Sequence, residues 1–232
     1  MSFWKITMKR SVKLSKSYFI LGIVLTIYGI ILSNIMTLIP STSATPVPID
    51  LTNNFPLLSV ALLSLSTVLF SLPVVMLFVY DKNNGVLEYL LSTGLDQLDI
   101  FKGYVKASLV LATYLLAFAI ILNTIVGIIL GTNFSLLASI AALTFAIGIS
   151  EVFLVSVCMV AFSSLQKTPM GANQPLGVIV GVVPMFPALI LPLAFPTYAI
   201  IIDLTIAGIT LIVSFALLLS TGRLILREKL LP

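Results

Sequence analysis

Six stretches of the chain are apolar over about 20 residues each, and the polar residues are concentrated between them. A helix needs about 20 mostly apolar residues to cross about 30 Å of hydrocarbon. The pattern therefore predicts an all-α integral membrane protein whose six transmembrane helices form a single domain over residues 17–232. The predicted spans cover residues 17–39, 56–80, 107–130, 135–162, 175–194 and 200–222.

The basic residues predict the orientation of these spans. All 12 lysines and arginines lie in the N-terminal segment, the 81–106 loop, the 163–174 loop or the C-terminal tail. The alternate loops, residues 40–55, 131–134 and 195–199, contain none. Because cytoplasmic loops are enriched in Lys and Arg, we predict that both termini are cytoplasmic and that the protein is a multi-pass protein of the plasma membrane.

The N-terminal residues 1–16 are predicted to form an amphipathic helix at the membrane interface. At 100° per residue the lysines and the apolar side chains separate onto opposite faces. The basic face carries Lys5, Lys9, Lys13 and Lys16, and the apolar face carries Phe3, Trp4, Met8 and Leu14. We expect the helix to lie along the inner lipid surface with its aromatic side chains among the headgroups. A disordered basic anchor is the alternative.

The loop at residues 81–106 is neither purely polar nor long enough to span. After the turn-forming Asn83-Asn84-Gly85, apolar residues recur at helical spacing and predict a short helix that ends at Ser92-Thr93-Gly94. Asp96 is predicted to cap a second short helix, with Asp99 in a capping-box-like position. The residues predicted to form a contact surface are Val86, Leu87, Glu88, Leu90, Leu91, Asp96, Leu98 and Phe101.

Two amphipathic helices between spans need a surface to pack against. The inner face of the membrane is one candidate, and a cytoplasmic protein is the other. The acidic residues Glu88, Asp96 and Asp99 would be repelled by anionic lipid. Their presence favours a protein partner.

The stretch from Asp81 to Gly103 resembles the cytoplasmic coupling segment of ABC exporter permeases of the type-2 class. The similarity lies in Gly85-Val86-Leu87-Glu88, in Leu90-Leu91-Ser92-Thr93 and in Lys102-Gly103. The family commonly has Pro at the place of Gly94 and Ser at the place of Asp96. Both replacements keep the chemistry of a turn and a helix cap.

The resemblance implies a permease that dimerises with a second copy or a related permease and is driven by separate ABC ATPase subunits. In such complexes ATP and magnesium are held by the ATPase and none is bound by the permease. The sequence agrees, because no glycine is followed by lysine and the phosphate-binding loop G-x-x-x-x-G-K-[ST] is therefore missing. The chain is not expected to be an enzyme by itself.

One acidic residue falls in the middle of a predicted span. An ionised carboxylate at the bilayer centre costs at least about 2.5 kcal/mol, so Glu151 should face the interior, be paired or be protonated. We assign it to a possible substrate path together with Pro184 and Pro187, where span five is predicted to be broken. The alternatives are a carboxyl hydrogen-bonded to a neighbouring helix or to a partner permease, and a position nearer the membrane interface. Asp203 is expected to be a solvated residue at the outer end of span six.

Composition excludes several classes of function. With 59% hydrophobic and 9% charged residues, the chain is not a soluble domain. The absence of histidine and the single cysteine argue against a metal site and a disulfide framework. The net charge of +4 follows from the loop bias and does not indicate nucleic-acid binding. An ion-coupled secondary transporter, a channel subunit and a non-transporting scaffold remain alternatives to an exporter.

Overall fold

The structure is a computed structural model that describes residues 3–38, 51–164, 183, 185–195 and 198–224. Within these ranges the chain is helical, and no strand occurs in them. The helices are α1 (Phe3–Leu14), α2 (Lys16–Leu38), α3 (Leu51–Asn83), α4 (Val86–Ser92), α5 (Gln97–Ile129), α6 (Phe134–Ser164), α7 (Met185–Ala194) and α8 (Ala199–Leu224).

Four helices are long and apolar enough to cross a membrane, which indicates a multi-pass membrane protein. The qualifying segments are Val60–Asn83, Gln97–Ile129, Phe134–Cys158 and Ala199–Ser220. Helices α1 and α2, which meet at an angle of 84°, pass the same test as a pair and bring the number to five at most.

The fifth predicted span is described only in part. Its described helix, α7, has 10 residues and is about 15 Å long, half of what a crossing needs. It begins directly after Pro184, which lies outside the described residues together with 165–182. The count of six spans and their orientation therefore stay predictions.

The predicted second short helix of the 81–106 loop is not a separate element. Helix α5 begins at Gln97 and continues without a break to Ile129 over 33 residues. The prediction of two short helices is therefore wrong. The apolar stripe that begins at Ile100 and Phe101 continues into the spanning segment, so one face of the helix stays buried along its length.

Helix α3 lies at the centre of the bundle and packs against α2, α5 and α6, while α6 also packs against α5 and α8. The largest apolar cluster lies beside α4 and includes Phe78, Leu87, Phe101, Tyr104 and Val157. We call this region the α4 end of the bundle. It receives side chains from α1, α2, α3, α4, α5, α6 and α8.

Buried polar pairs also join the helices. Thr26 of α2 donates a hydrogen bond to Ser66 of α3 at 2.9 Å, and Ser156 of α6 donates one to Ser108 of α5 at 2.8 Å. Interhelical hydrogen bonds in membranes contribute about 1 kcal/mol each. These pairs fix the rotation of each helix about its own axis. Contacts between apolar surfaces alone would allow several such rotations.

Candidate functional site at the surface helix

Two glycines shape the connection between α3 and α5. Gly85, with φ of 70°, makes the turn from the end of α3 into α4, and Gly94, with φ of 88°, ends α4. Both lie in the left-handed region that glycine adopts without steric cost. The seven-residue helix α4 between them confirms the predicted positions of the turn, the short helix and the break.

Helix α4 has an inner and an outer side. Leu87 is completely buried in the cluster at the α4 end, and Leu90 and Leu91 pack against the same cluster. Tyr89 points outward with 68% of its surface exposed. Glu88 is half-buried. The helix is therefore held on the bundle by its leucines and presents an aromatic ring to its surroundings.

The predicted contact residues divide by exposure. Leu87 and Phe101 lie in the chain's own core, so they support this surface and cannot touch a partner in this conformation. Val86, Glu88, Leu90, Leu91 and Leu98 are half-buried, and Asp96 is exposed. Tyr89 was not predicted, because helical spacing alone does not tell an outward aromatic residue from a buried one.

Asp96 occupies the N-cap position of α5, as predicted, with an extended backbone at φ −70° and ψ 143°. Its backbone carbonyl accepts hydrogen bonds from the N–H groups of Asp99 and Ile100. Its side chain makes no capping hydrogen bond, so the predicted side-chain cap is wrong. The carboxylate is left exposed at the surface beside α4.

A buried carboxylate at the end of α3 ties three helices together. Arg10 of α1 donates from Nη1 to Asp81 Oδ2 at 2.9 Å and from Nη2 to Asp81 Oδ1 at 2.7 Å. Tyr104 of α5 donates its hydroxyl proton to Asp81 Oδ2 at 2.5 Å. Asp81 is fully buried, whereas the Arg10 side chain is 38% exposed. We call these three residues the Asp81 network.

The contact with Asp81 stabilises the charged form of Arg10. Partial burial by itself lowers the pKa of the guanidinium, but the hydrogen bonds and the negative charge of Asp81 outweigh that effect and raise it. Bidentate pairing of guanidinium and carboxylate is among the stronger hydrogen-bonded arrangements in proteins. The Asp81 network therefore links α1, α3 and α5 through a charge-assisted ion pair and a hydroxyl hydrogen bond.

Helix α1 packs on the bundle beside this network. The Phe3 ring meets the Tyr104 ring edge-on at a centroid distance of 5.5 Å, and Lys106 Nζ lies 5.3 Å from the centre of the Trp4 ring. A Cβ atom at Gly103 would overlap the Phe3 ring. Phe3 and Trp4, predicted to project into the headgroups, thus pack against α5.

The opposite face of α1 agrees with the predicted pattern. Lys5, Lys9 and Lys13 are exposed, and so is Lys16 at the start of α2. Leu14, which was assigned to the apolar face, is 61% exposed and does not join Phe3 and Trp4 in the cluster.

The intramembrane residues lie away from this surface helix. Glu151 of α6 is completely buried, and neither of its carboxyl oxygens has a hydrogen-bond partner in the part of the chain that the structure describes. Asp203 of α8 is 1% exposed, so the expectation of a solvated end residue is wrong. Pro187 is exposed on α7, and Pro184 lies outside the described residues.

Asp203 was misjudged because its position in sequence, near the start of a span, says nothing about the face it presents. The packing of α8 against α6 turns it inward.

Among the described residues, no group of three or more His, Cys, Asp or Glu side chains converges in a way that could hold a metal ion. The chain matches no protein-family model, no curated protein and no solved structure.

Proposed function

We propose that this chain is the membrane-spanning permease subunit of an ABC exporter in the plasma membrane. In this proposal it has six spans with both termini in the cytoplasm, and it dimerises with a second copy or a related permease to form the substrate pathway. Separate ABC ATPase subunits bind ATP and magnesium and act on the permease through the 81–106 loop.

The observation that supports this proposal best is the arrangement of α4. A seven-residue helix at the end of the bundle is anchored by buried Leu87 and carries Tyr89 outward, with the exposed acidic residues Asp96 and Asp99 close in sequence. Aromatic residues are enriched at the centres of protein interfaces. A surface of this composition suits a protein partner with basic residues better than an anionic lipid surface.

The second support is the connection between α4 and the spanning helices. Helix α4 follows α3 after a tight turn, and the Asp81 network binds the end of α3 to α5 and α1. Because these contacts are buried and close-packed, a displacement of α4 would move the ends of α3 and α5 together. Such a linkage is what a subunit needs when ATP is hydrolysed on another chain.

In the proposed dimer, Glu151, Pro184 and Pro187 are candidates for the substrate path. Glu151 supplies a completely buried carboxyl near the middle of α6. Pro187, and Pro192 further along α7, interrupt regular helix hydrogen bonding in the fifth predicted span. Broken helices are tolerated in membranes where they line a cavity or pack against protein.

One observation favours a second candidate, an ion-coupled transporter or channel subunit. Such proteins carry ionisable groups inside the membrane. Besides Asp81 at the α4 end, two carboxyls of the described helices are buried, those of Glu151 and Asp203. An ion-coupled transporter would move its substrate without an ATPase, which separates it experimentally from the exporter.

The exporter proposal is tested by co-purification with candidate ABC ATPase subunits expressed together with the full chain. Tyr89→Ala is expected to reduce the amount of bound ATPase strongly while leaving the permease folded, since Tyr89 is exposed. Tyr114→Ala is the matched control, because Tyr114 is 66% exposed on α5 and lies outside the 81–106 loop. It should retain the ATPase.

Two outcomes would contradict the exporter. The first is that no ATPase co-purifies with the wild-type chain, whereas equal ATPase recovery with both tyrosine variants would contradict the role of Tyr89 alone. The second is substrate or ion flux in vesicles that contain this chain alone and no ATPase, which would support the ion-coupled alternative instead.

A further inference from the structure

A tryptophan ring lies beside two lysines from different helices, at the place where α1 packs on α5. Lys5 Nζ of α1 is 5.5 Å from the centre of the Trp4 ring, and Lys106 Nζ of α5 is 5.3 Å from the same centre. Both lysines are exposed, and Trp4 is half-buried. We call these three residues the Trp4 cluster.

The Trp4 cluster is assembled by the packing of α1. The Phe3 ring fills the space that a side chain at position 103 would need, and Trp4 and Met8 pack against the core at the α4 end of the bundle. Further along α1, Arg10 is bonded to Asp81. These contacts hold α1 on α5, so the two ammonium groups stay near each other although they are far apart in sequence.

The described structure provides no counter-charge for these two ammonium groups. Helix α1 contains four basic residues and no acidic one. Neither Lys5 nor Lys106 forms an ion pair with a described residue. Asp81 is already bonded within the Asp81 network, and Asp99 is about 10 Å from Lys106 along the axis of α5. Because like charges repel, the Trp4 cluster favours an anion beside it.

The Trp4 cluster lies where the apolar outer surface of the bundle begins. Because α1 meets α2 at 84°, it lies nearly parallel to the membrane when α2 crosses it. Ile20, Leu21 and Val24, in the first turns of α2, are exposed apolar residues. On α5, Lys106 directly precedes the predicted span 107–130. This is the level of the lipid headgroups, where tryptophan and lysine side chains act as anchors.

The outer face of α1 has the composition of a lipid-binding surface. Lys9 and Lys13 continue the row that begins at Lys5, with a spacing of four residues that keeps them on one face. Ile6 and Val12 flank this row and are 42% and 40% exposed. Lysine stems lie along apolar surface while their ammonium groups reach polar surroundings. A soluble acidic protein would satisfy the charges alone, whereas an anionic lipid offers both a phosphate and acyl chains.

We infer that the Trp4 cluster binds the headgroup phosphate of an anionic phospholipid in the cytoplasmic leaflet. Lys5 and Lys106 donate charge-assisted hydrogen bonds to the phosphate. The Trp4 ring lies against the lipid below its headgroup, as amphipathic rings do at membrane interfaces. The inference rests on the packing of α1 and α5, and it holds whether or not the chain is an exporter.

The test uses the fluorescence of Trp4, which is the single tryptophan of the chain. The full chain is reconstituted in vesicles of equal parts phosphatidylglycerol and phosphatidylcholine, with bromine atoms on the upper acyl chains of one lipid or the other. Bromine quenches tryptophan fluorescence only at short range, so the quenching shows which lipid lies beside the ring. Brominated phosphatidylglycerol should quench more strongly than brominated phosphatidylcholine at the same mole fraction.

Lysine variants locate the preference at the Trp4 cluster. A lysine near an anionic lipid surface contributes about fivefold to the affinity. Lys5→Gln and Lys106→Gln should each lower the preference for phosphatidylglycerol by about this factor, and the double variant should lose it. Lys13→Gln is the matched control, because it removes the same charge from an exposed lysine two turns from Lys5 on the same face. It should keep the preference. All of these side chains are exposed, so Tm should be unchanged in every variant.

Inorganic phosphate distinguishes a lipid from a free anion. Added to the vesicles in place of chloride at constant ionic strength, it should leave the preference intact, because the lipid is anchored in the bilayer and stays at high local concentration beside the ring. Loss of the preference in phosphate would assign the Trp4 cluster to a free anion and overturn the inference. It is also overturned if the two brominated lipids quench the wild type equally or not at all, or if Lys13→Gln loses as much preference as Lys106→Gln.

Discussion

Asp81 and Glu151 are both completely buried carboxylates, yet their surroundings are opposite. Asp81 accepts two hydrogen bonds from Arg10 and one from Tyr104. Glu151 accepts none from the described residues. Burial alone therefore does not tell a structural carboxylate from a candidate binding group. The partners do.

The difference arises from the path of the chain. The 84° bend between α1 and α2 brings Arg10 back onto the bundle beside the end of α3, 71 residues later in the sequence. Glu151 lies on α6, a helix that carries no basic residue. A charge is expensive in such a place unless a partner or a ligand neutralises it.

The largest expected effect comes from breaking the Asp81 network at its cation. Arg10→Ala leaves a fully buried carboxylate unpaired, which should cost about 3 kcal/mol of unfolding free energy, the low end for buried ion pairs. We place it at the low end because Arg10 is 38% exposed and solvent screens part of the interaction. Denaturant unfolding in detergent micelles measures the loss. Lys9→Ala, an exposed neighbour, should change stability by less than about 0.5 kcal/mol, and an equal loss in both variants would refute the role of Arg10.

The next effect tests the neutral member of the network. Tyr104→Phe keeps the aromatic contacts with Phe3 and Phe78 but removes the hydroxyl bonded to Asp81. A hydrogen bond to a charged group contributes about 1.5–3 kcal/mol, so we expect a loss of about 2 kcal/mol. Tyr114→Phe on the exposed side of α5 is the matched control. If it were as destabilising as Tyr104→Phe, the hydroxyl bond would not be the cause.

A smaller effect is expected where α1 meets α5. Gly103→Ala places a methyl group against the Phe3 ring, which must shift, and overpacking of this kind costs about 1–3 kcal/mol. We expect about 1 kcal/mol, because Phe3 is at the start of α1 and can move. Gly208→Ala, where a Cβ meets nothing within 4 Å, should be neutral or slightly stabilising. Thermal unfolding compares the two, and identical shifts would mean that α1 is not docked through Gly103.

The last prediction compares the two carboxylates directly. Asp81→Asn removes the charge that Arg10 and Tyr104 require and should cost about 2 kcal/mol. Glu151→Gln has nearly the same shape and removes a buried ionisable group that has no partner among the described residues, so it should leave stability unchanged or raise it at neutral pH. Parallel denaturation curves measure both. A loss at Glu151 as large as that at Asp81 would show that Glu151 has a partner after all.

Much of the helical architecture could be predicted from apolar length. Four of the predicted spans correspond to helices that meet the requirement for crossing a membrane, and the turn at Gly85 and the break at Gly94 lie where the local sequence predicts them. These features depend on local composition and backbone freedom, which are readable residue by residue. The continuity of α5 was missed because an N-cap signal marks a helix start but does not determine how far the helix continues.

The amino-acid sequence by itself determined that the chain is rich in membrane-length apolar helices and that its basic residues lie between them. Tertiary structure alone decided that Arg10 meets Asp81, that Leu87 is anchored while Tyr89 is exposed, and that Asp203 turns inward toward the α6 contact. The physical reason is that hydrophobicity acts through the total apolar surface of a segment. Which polar groups form hydrogen bonds depends instead on how whole helices rotate and bend, because these movements bring together residues that are far apart in sequence.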